Sequence, residues 1–176
     1  NSKIFSNYNS FLLYGENPGL KKDIKNYIEE EFKKNDEDLE ILKLYENEIT
    51  DNEQIFYDFI SSGSLFSKKK IIIIFEATDK IIKKIDHFHE TIPENIYLIL
   101  LSGILEKKSK VRSFFEKNKK SICIPCYLDT TRDLEIIVQS EIKKNNLSIS
   151  REALNLLIEK SNSDRGNLRN ELEKIK

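Results

Sequence analysis

An α/β fold, with five parallel strands covered by helices on both faces and a small three-helix domain after them, is what this 176-residue chain predicts. Three observations predict it. Apolar strand runs and helix-period segments alternate five times along residues 11–125, which calls for crossover connections and hence a parallel sheet. Ile71–Phe75 and Ile96–Leu101 are unbroken apolar stretches, the pattern of strands buried on both faces. After Tyr127 the strand signals stop and only helical spacing remains.

Phe11–Tyr14 opens the series as a short apolar run ended by Gly15. Leu20, Ile24, Tyr27, Ile28 and Phe32 then share one helical face, and Leu39–Tyr45 reads as the second strand. Thr50-Asp51-Asn52-Glu53 has the form of a capping box, so Thr50 is expected to open the helix carrying Ile55, Phe56, Phe59 and Ile60. Ile71–Phe75 is the third strand, followed by a helix with Ile81, Ile82, Ile85 and Phe88. Ile96–Leu101 is the fourth, followed by a helix with Val111, Phe114 and Phe115, and Ser121–Pro125 is the fifth. Leu134, Ile137, Val138 and Ile142 mark the first helix of the second domain. Leu154, Leu157 and Ile158 mark another after a Ser150 cap, and Leu168, Leu172 and Ile175 a third after Asp164. The boundary is set at 1–127 for the α/β domain and 128–176 for the helical one. So few helical residues bury little core by themselves, so this domain is expected to lean on the sheet or on chain beyond residue 176. Both ends read as cut from a longer protein.

Composition narrows the function classes. Hydrophobic residues at 39% and charged residues at 34% give the balance of a soluble globular chain. The apolar runs are far too short to span a membrane, no export leader opens the chain, and a cytoplasmic location is expected. A net charge of -1 makes no bulk case for nucleic acid. The charge is uneven, however. Residues 105–120 carry Lys107, Lys108, Lys110, Arg112, Lys117, Lys119 and Lys120 against Glu106 and Glu116. Such a run is either a solvated helix face or a phosphate-facing patch. Cys123 and Cys126 form one C-x-x-C inside an apolar segment, away from a helix start. With only His87 and His89 besides, a zinc site lacks ligands, and two buried strand cysteines are the expectation.

In an open parallel sheet, ligands sit beyond the carboxyl ends of the strands. The first such place is Gly15-Glu16-Asn17-Pro18-Gly19-Leu20-Lys21-Lys22, between strand and helix. A phosphate loop reads G-x-x-x-x-G-K-[ST], because backbone N–H groups wrap the phosphates, the lysine reaches them and the hydroxyl holds Mg²⁺. Here Gly15 and Gly19 stand one residue too close. Lys21 does not follow the second glycine, Lys22 or Asp23 replaces the hydroxyl, Pro18 lacks a donor and Glu16 opposes an anion. The third strand ends in Glu76-Ala77-Thr78, without the acidic pair that orients Mg²⁺ and water. No catalytic residue, metal site or cofactor is expected.

Two further segments stand out. Ser61-Ser62-Gly63-Ser64-Leu65-Phe66-Ser67-Lys68-Lys69-Lys70 joins the capped helix to a buried strand. Leu65 and Phe66 either tuck into the core or project as a compact wedge for a partner's apolar pocket, and residue chemistry alone favours the core. Gly166-Asn167-Leu168-Arg169 starts the last helix, where Arg169 can reach a nucleotide or pair with a carboxylate such as Glu171 or Glu173.

Phe11 to Pro18, Ser64 to Lys70 with the isoleucine run after it, Leu105 to Lys110 and Gly166 to Lys174, in that order and spacing, resemble the delta subunit of bacterial DNA polymerase III. The resemblance implies an AAA+-like first domain of the P-loop NTPase type that has lost its phosphate loop. It implies a helical lid over 128–176 and a collar domain beyond it. It implies a non-catalytic clamp-loader subunit whose partners are the sliding clamp (beta), the gamma/tau ATPase subunits, delta-prime and primed DNA. By the same resemblance Leu65 and Phe66, with Ser64 shaping the turn, enter a pocket of the clamp. Gly166 and Arg169 align with the sensor arginine motif of AAA+ lids, and Lys107, Lys108, Lys110 and Arg112 are candidates to face DNA. Two other readings compete: a divergent P-loop ATPase or nucleotide kinase, and a DNA-binding module built on residues 107–120.

Overall fold

The computed structural model of the chain describes residues 7–34, 36, 38–62, 69–84 and 93–175. Two compact units emerge, Asn1–Gly15 with Ile24–Pro125, and Glu16–Asp23 with Cys126–Lys176.

The larger unit is built on a sheet of β1 (Ser10–Tyr14), β2 (Glu40–Tyr45), β3 (Lys70–Phe75), β4 (Ile96–Ser102) and β5 (Ser121–Pro125), ordered β2-β3-β4-β1-β5. Every pairing is parallel. All of β1 is buried, and so are residues 70–74 of β3. Both strands are central and covered on two sides, which is why their sequences are continuously apolar. Strand alternation sorts the core. Leu12, Tyr14, Ile72, Ile74, Leu98 and Leu100 face one side, with Ile49, Phe56, Val111 and Phe115 packed there. Phe11, Leu13, Ile71, Ile73 and Ile99 are buried on the other side. On that side Phe32 of helix α1 (Pro18–Lys33) puts its ring 4.1 Å from that of Tyr97.

One expected helix start moves. Thr50 does not open the helix of Ile55 and Phe56; it lies in a short helix α2 (Glu46–Asp51), where its hydroxyl donates to Asn47 O at 2.8 Å. Helix α3 (Glu53–Ser61) is capped by Asn52, whose side chain accepts from Gln54 N at 3.1 Å. An Asn is at least as good a cap as a Thr, and Thr50 has spent its hydroxyl on its own helix. After β3 a 3-10 turn (Asp79–Ile81) leads into helical residues 82–84. Ile85, His87, Phe88 and His89 lie outside the described residues. Helix α4 (Lys110–Lys117) buries Val111 and Phe115.

The smaller unit holds α5 (Thr131–Asn145), α6 (Arg151–Lys160) and α7 (Arg165–Glu173). Its core is Leu134, Val138, Leu168 and Leu172, bordered by Leu154, Leu157 and Ile158. Ser150 and Asp164 cap α6 and α7 as the sequence predicts, accepting from Ala153 N and Asn167 N. No described helix is long and apolar enough to cross a membrane.

Candidate functional site

The chain leaves β1 through Gly15, whose φ of 130° lies where only glycine is comfortable. Its N–H donates to Gly103 O at 2.9 Å, drawing the ends of β1 and β4 together. The next segment is a conventional helix start. Asn17 is its cap: Oδ1 accepts from Leu20 N at 2.9 Å, and its carbonyl accepts from Lys21 N at 3.2 Å. Pro18 occupies the first helical position, where its missing N–H costs nothing. A helix N-terminus ordinarily offers its open N–H groups to an anion. Here one donor does not exist and another is taken by Asn17.

Asn17 is fully buried and, within the smaller unit, ties this start to the segment after β5. Its backbone N–H donates to Cys126 O at 3.1 Å, and its amide nitrogen donates to Tyr127 O at 3.0 Å and to Asp129 Oδ2 at 2.9 Å. Asp129 in turn receives Arg165 from three sides: the backbone N–H at 3.2 Å, Nε at 3.1 Å and a short bond from Nη2. Arg165 Nη1 reaches Asp23 Oδ2 at 3.3 Å. Arg169 grips the same Asp23 with both terminal nitrogens, at 2.5 and 2.9 Å, the bidentate geometry that makes such pairs strong. Asp23 stands on the turn where a phosphate loop would carry its metal-holding hydroxyl. The partner of Arg169 is therefore Asp23, rather than the Glu171 or Glu173 offered as carboxylate candidates.

The two glycines make this docking possible. A Cβ on Gly19 would come within 2.7 Å of Arg165 Cγ and 2.8 Å of Gly166 N. Gly166 is thus held against the loop by its backbone, and a Cβ there would meet Asp164 Oδ1 at 2.9 Å. Burial raises the pKa of Asp129, but the hydrogen bonds from Arg165 and Asn17 outweigh it and leave the carboxyl below its usual range. Burial lowers the Lys21 ammonium, partly offset by the nearby Cys126 and Glu16. Both thiols are pushed up to about 11 by burial, so at neutral pH they are protonated and poorly nucleophilic. Cys123 is half-buried on β5, and Cys126 is fully buried one residue past the strand. Among the described residues no cluster of three or more His, Cys, Asp or Glu could hold a metal.

The basic stretch divides. Lys107, Lys108 and Lys110 are exposed at the start of α4, with Lys108 2.9 Å from Glu106. Arg112 is turned inward. Its Nε donates to Glu116 at 2.8 Å, its Nη1 to Leu105 O at 3.3 Å, and its guanidinium lies 5.0 Å from the Tyr14 ring centroid. Gly63, Ser64, Leu65 and Phe66 lie outside the described residues; the helix before them ends at Ser61 and the strand after them begins at Lys70. Sequence reasoning passed over Asn17, Asp129 and Arg165. The Asn-Pro pair is a legible helix start, but the long-range pairing to Asp129 and Arg165 leaves no periodic trace.

The family model for the DNA polymerase III delta subunit matches residues 11–127. No curated protein matches. Among solved structures, the Bacillus subtilis DNA clamp loader delta protein superposes with a TM-score of 0.58 at 11% identity, over 98% of this chain and 54% of that one. This chain therefore spans about half the length of that relative. Domain III of the Thermotoga maritima replication initiation protein DnaA gives 0.61 at 16% identity, over 98% and 77%. Thermotoga maritima RuvB gives 0.59 at 16%, over 90% and 52%. The three structures share the AAA+-like fold at low identity, and the family model covers well over half of the chain. On that match, the chain belongs to the DNA polymerase III delta subunit family.

Proposed function

We propose that this chain is the part of a clamp-loader subunit that grips the DNA polymerase sliding clamp and favours its opened ring during replication. The match of residues 11–127 to the delta-subunit family carries the reading. The gripping element is the Leu65-Phe66 pair, with Ser64 beside it, on the connection between α3 and β3. Burying two such side chains in a clamp pocket contributes about 3–6 kcal/mol before ordering costs, enough to dominate a modest interface. Opening needs no fuel at this subunit, since binding the open ring more tightly than the closed one shifts the equilibrium. ATP hydrolysis comes from the gamma/tau subunits, with delta-prime completing the loader around primed DNA. The capped start of α1 and the Asp23–Arg169 pair support a chain without ATPase activity of its own. Lys107, Lys108 and Lys110 are the side chains available to meet DNA phosphates.

Clamp binding by Leu65→Ala/Phe66→Ala, with circular dichroism on both proteins, tests the grip. A folded variant should bind at least about 100-fold more weakly, the scale of two truncated anchor residues. Unchanged affinity in a folded variant rejects the assignment.

A further inference from the structure

At the carboxyl edge of the sheet, the turn after β3 and the turn after β4 border one hollow of about 450 Å³. Lys80 lines it from the first turn and Lys108 from the second, and Ile104 and Leu105 add an apolar surface. Ile104 is 74% exposed there. Lys80, Lys107, Lys108 and Lys110 are all exposed as well. The eight residues of α4, about 12 Å of helix, separate these charges from Lys117, Lys119 and Lys120 beyond its far end. The basic run of the sequence is thus split by its own helix, and Lys80, a residue outside that run, joins the half at the helix start.

Hydrogen bonds fix both turns. Thr78 donates to the buried Glu46 carboxylate through its backbone N–H and its hydroxyl, each at 2.7 Å. Asp79 Oδ1 accepts from Ser109 Oγ at 2.7 Å and from Val111 N at 3.0 Å, which stitches the first turn to the start of α4. These bonds, that from Ser109 foremost, hold the Asp79 carboxyl below its usual range. Ser109 N donates to Glu106 O at 3.0 Å and closes the turn that carries the lysines, while Arg112 Nη1 holds Leu105 O at 3.3 Å. The carboxylates nearby are Asp79, spent on α4, and Glu106, paired with Lys108 at 2.9 Å. Four lysines against two carboxylates leave the hollow with an excess of positive charge.

We infer that this hollow binds the phosphodiester backbone of DNA, with Lys80 contributing a phosphate contact beside Lys107, Lys108 and Lys110, and with Asp79 as the positioning residue that holds the two turns together. The inference rests on the proposed approach of Lys107, Lys108 and Lys110 to DNA and extends it to a second turn of the chain. Lysine is a side chain of phosphate contacts and is depleted from protein interfaces, so this make-up favours nucleic acid over a protein partner. The start of α4 is not itself the anion site, because Asp79 and Ser109 take up the N–H groups of Val111 and Arg112. Contacts to phosphate and sugar alone carry no base preference, so the site positions DNA without reading its sequence.

The test is fluorescence anisotropy of a labelled primer–template DNA with the full chain, over a series of salt concentrations starting low, with circular dichroism on every variant. Lys80→Gln should weaken binding about threefold and flatten the slope of log affinity against log salt by about 0.9, the share of one phosphate contact. Lys144→Gln, at an exposed lysine of the smaller unit, should change neither; equal effects of the two overturn the site, because only bulk charge then matters. Asp79→Ala separates positioning from charge. Removing a carboxylate beside lysines tightens DNA binding by charge alone, whereas losing the bonds to Ser109 and Val111 should weaken it about threefold. Asp79→Asn keeps the accepting oxygen and should bind at least as well as wild type. Tighter binding by Asp79→Ala overturns the positioning role. Should Asp79→Ala not fold, Ser109→Ala should cost about twofold, and no loss there overturns that role instead. Wild-type affinity and slope in Lys80→Gln, beside a clear loss in Lys107→Gln/Lys108→Gln/Lys110→Gln, overturns the hollow and leaves the other three lysines their role. No loss in either variant, or no binding by the unaltered chain at low salt, removes both. A Lys80→Gln chain that binds DNA normally but loses affinity for the sliding clamp makes the hollow a protein-docking surface and overturns the inference.

Discussion

Gly19 shows how one missing carbon decides a docking. An alanine inside a helix is ordinarily favoured over glycine by about 0.5–1 kcal/mol. Here its Cβ would sit 2.7 Å from Arg165 Cγ and 2.8 Å from Gly166 N. Neither neighbour yields easily, since Arg165 is bound to Asp129 and Asp23 and the other contact is backbone. Overpacking of this kind costs about 1–3 kcal/mol, so the clash wins. Gly19→Ala should lower stability by about 1–2 kcal/mol in urea unfolding. A gain in stability would mean that the loop and α7 do not meet this closely.

Among the elements, those whose sequence pattern is set by their own burial were readable. The strands announce themselves because a parallel sheet covered on both faces leaves no polar side to interrupt the run. Helices α6 and α7 follow Ser150 and Asp164, whose caps act within three residues of their own chain. The start of α3 was misread because Thr50 and Asn52 are both good caps and only packing chooses between them. The Asp129–Arg165 and Asp23–Arg169 pairs were not readable, since each joins residues more than 30 positions apart with no period to mark them. The Asp129–Arg165 pair predicts an acid response of the smaller unit. Asp129 has its folded pKa held below the usual range, so its contribution is complete above the ordinary aspartate pKa and fades as pH falls through the lowered one. Stability should therefore decline on acidification, and Asp129→Asn should flatten that part of the curve while lowering stability at neutral pH. A curve unchanged by Asp129→Asn would show that the pair adds nothing to folding.

At the scale of the whole molecule, the question is whether a fold built like a nucleotide-binding one still answers to nucleotide. The strand order and the helix after β1 place an N-terminus beyond the sheet's carboxyl edge, the usual seat of a phosphate. The local chemistry runs the other way. Asn17 caps the N–H of Leu20, Pro18 offers no N–H, and Asp23 presents a carboxylate to Arg169. To accept a triphosphate, the chain would have to release Arg169 from a bidentate pair and bring more negative charge beside Asp23. A ligand present at 100 times its Kd stabilises the folded state by about 2.7 kcal/mol. In a chain of this size that is worth roughly 5–10 °C in Tm. Millimolar Mg-ATP should leave the melting temperature within about 1 °C of the nucleotide-free value. Asp23→Ala, which frees Arg169 while Arg165 stays on Asp129, should still show no comparable rise, because Asn17 and Pro18 continue to close the helix start. A shift of several degrees in the unaltered chain would place a working nucleotide site here and reverse the assignment of hydrolysis to sister subunits.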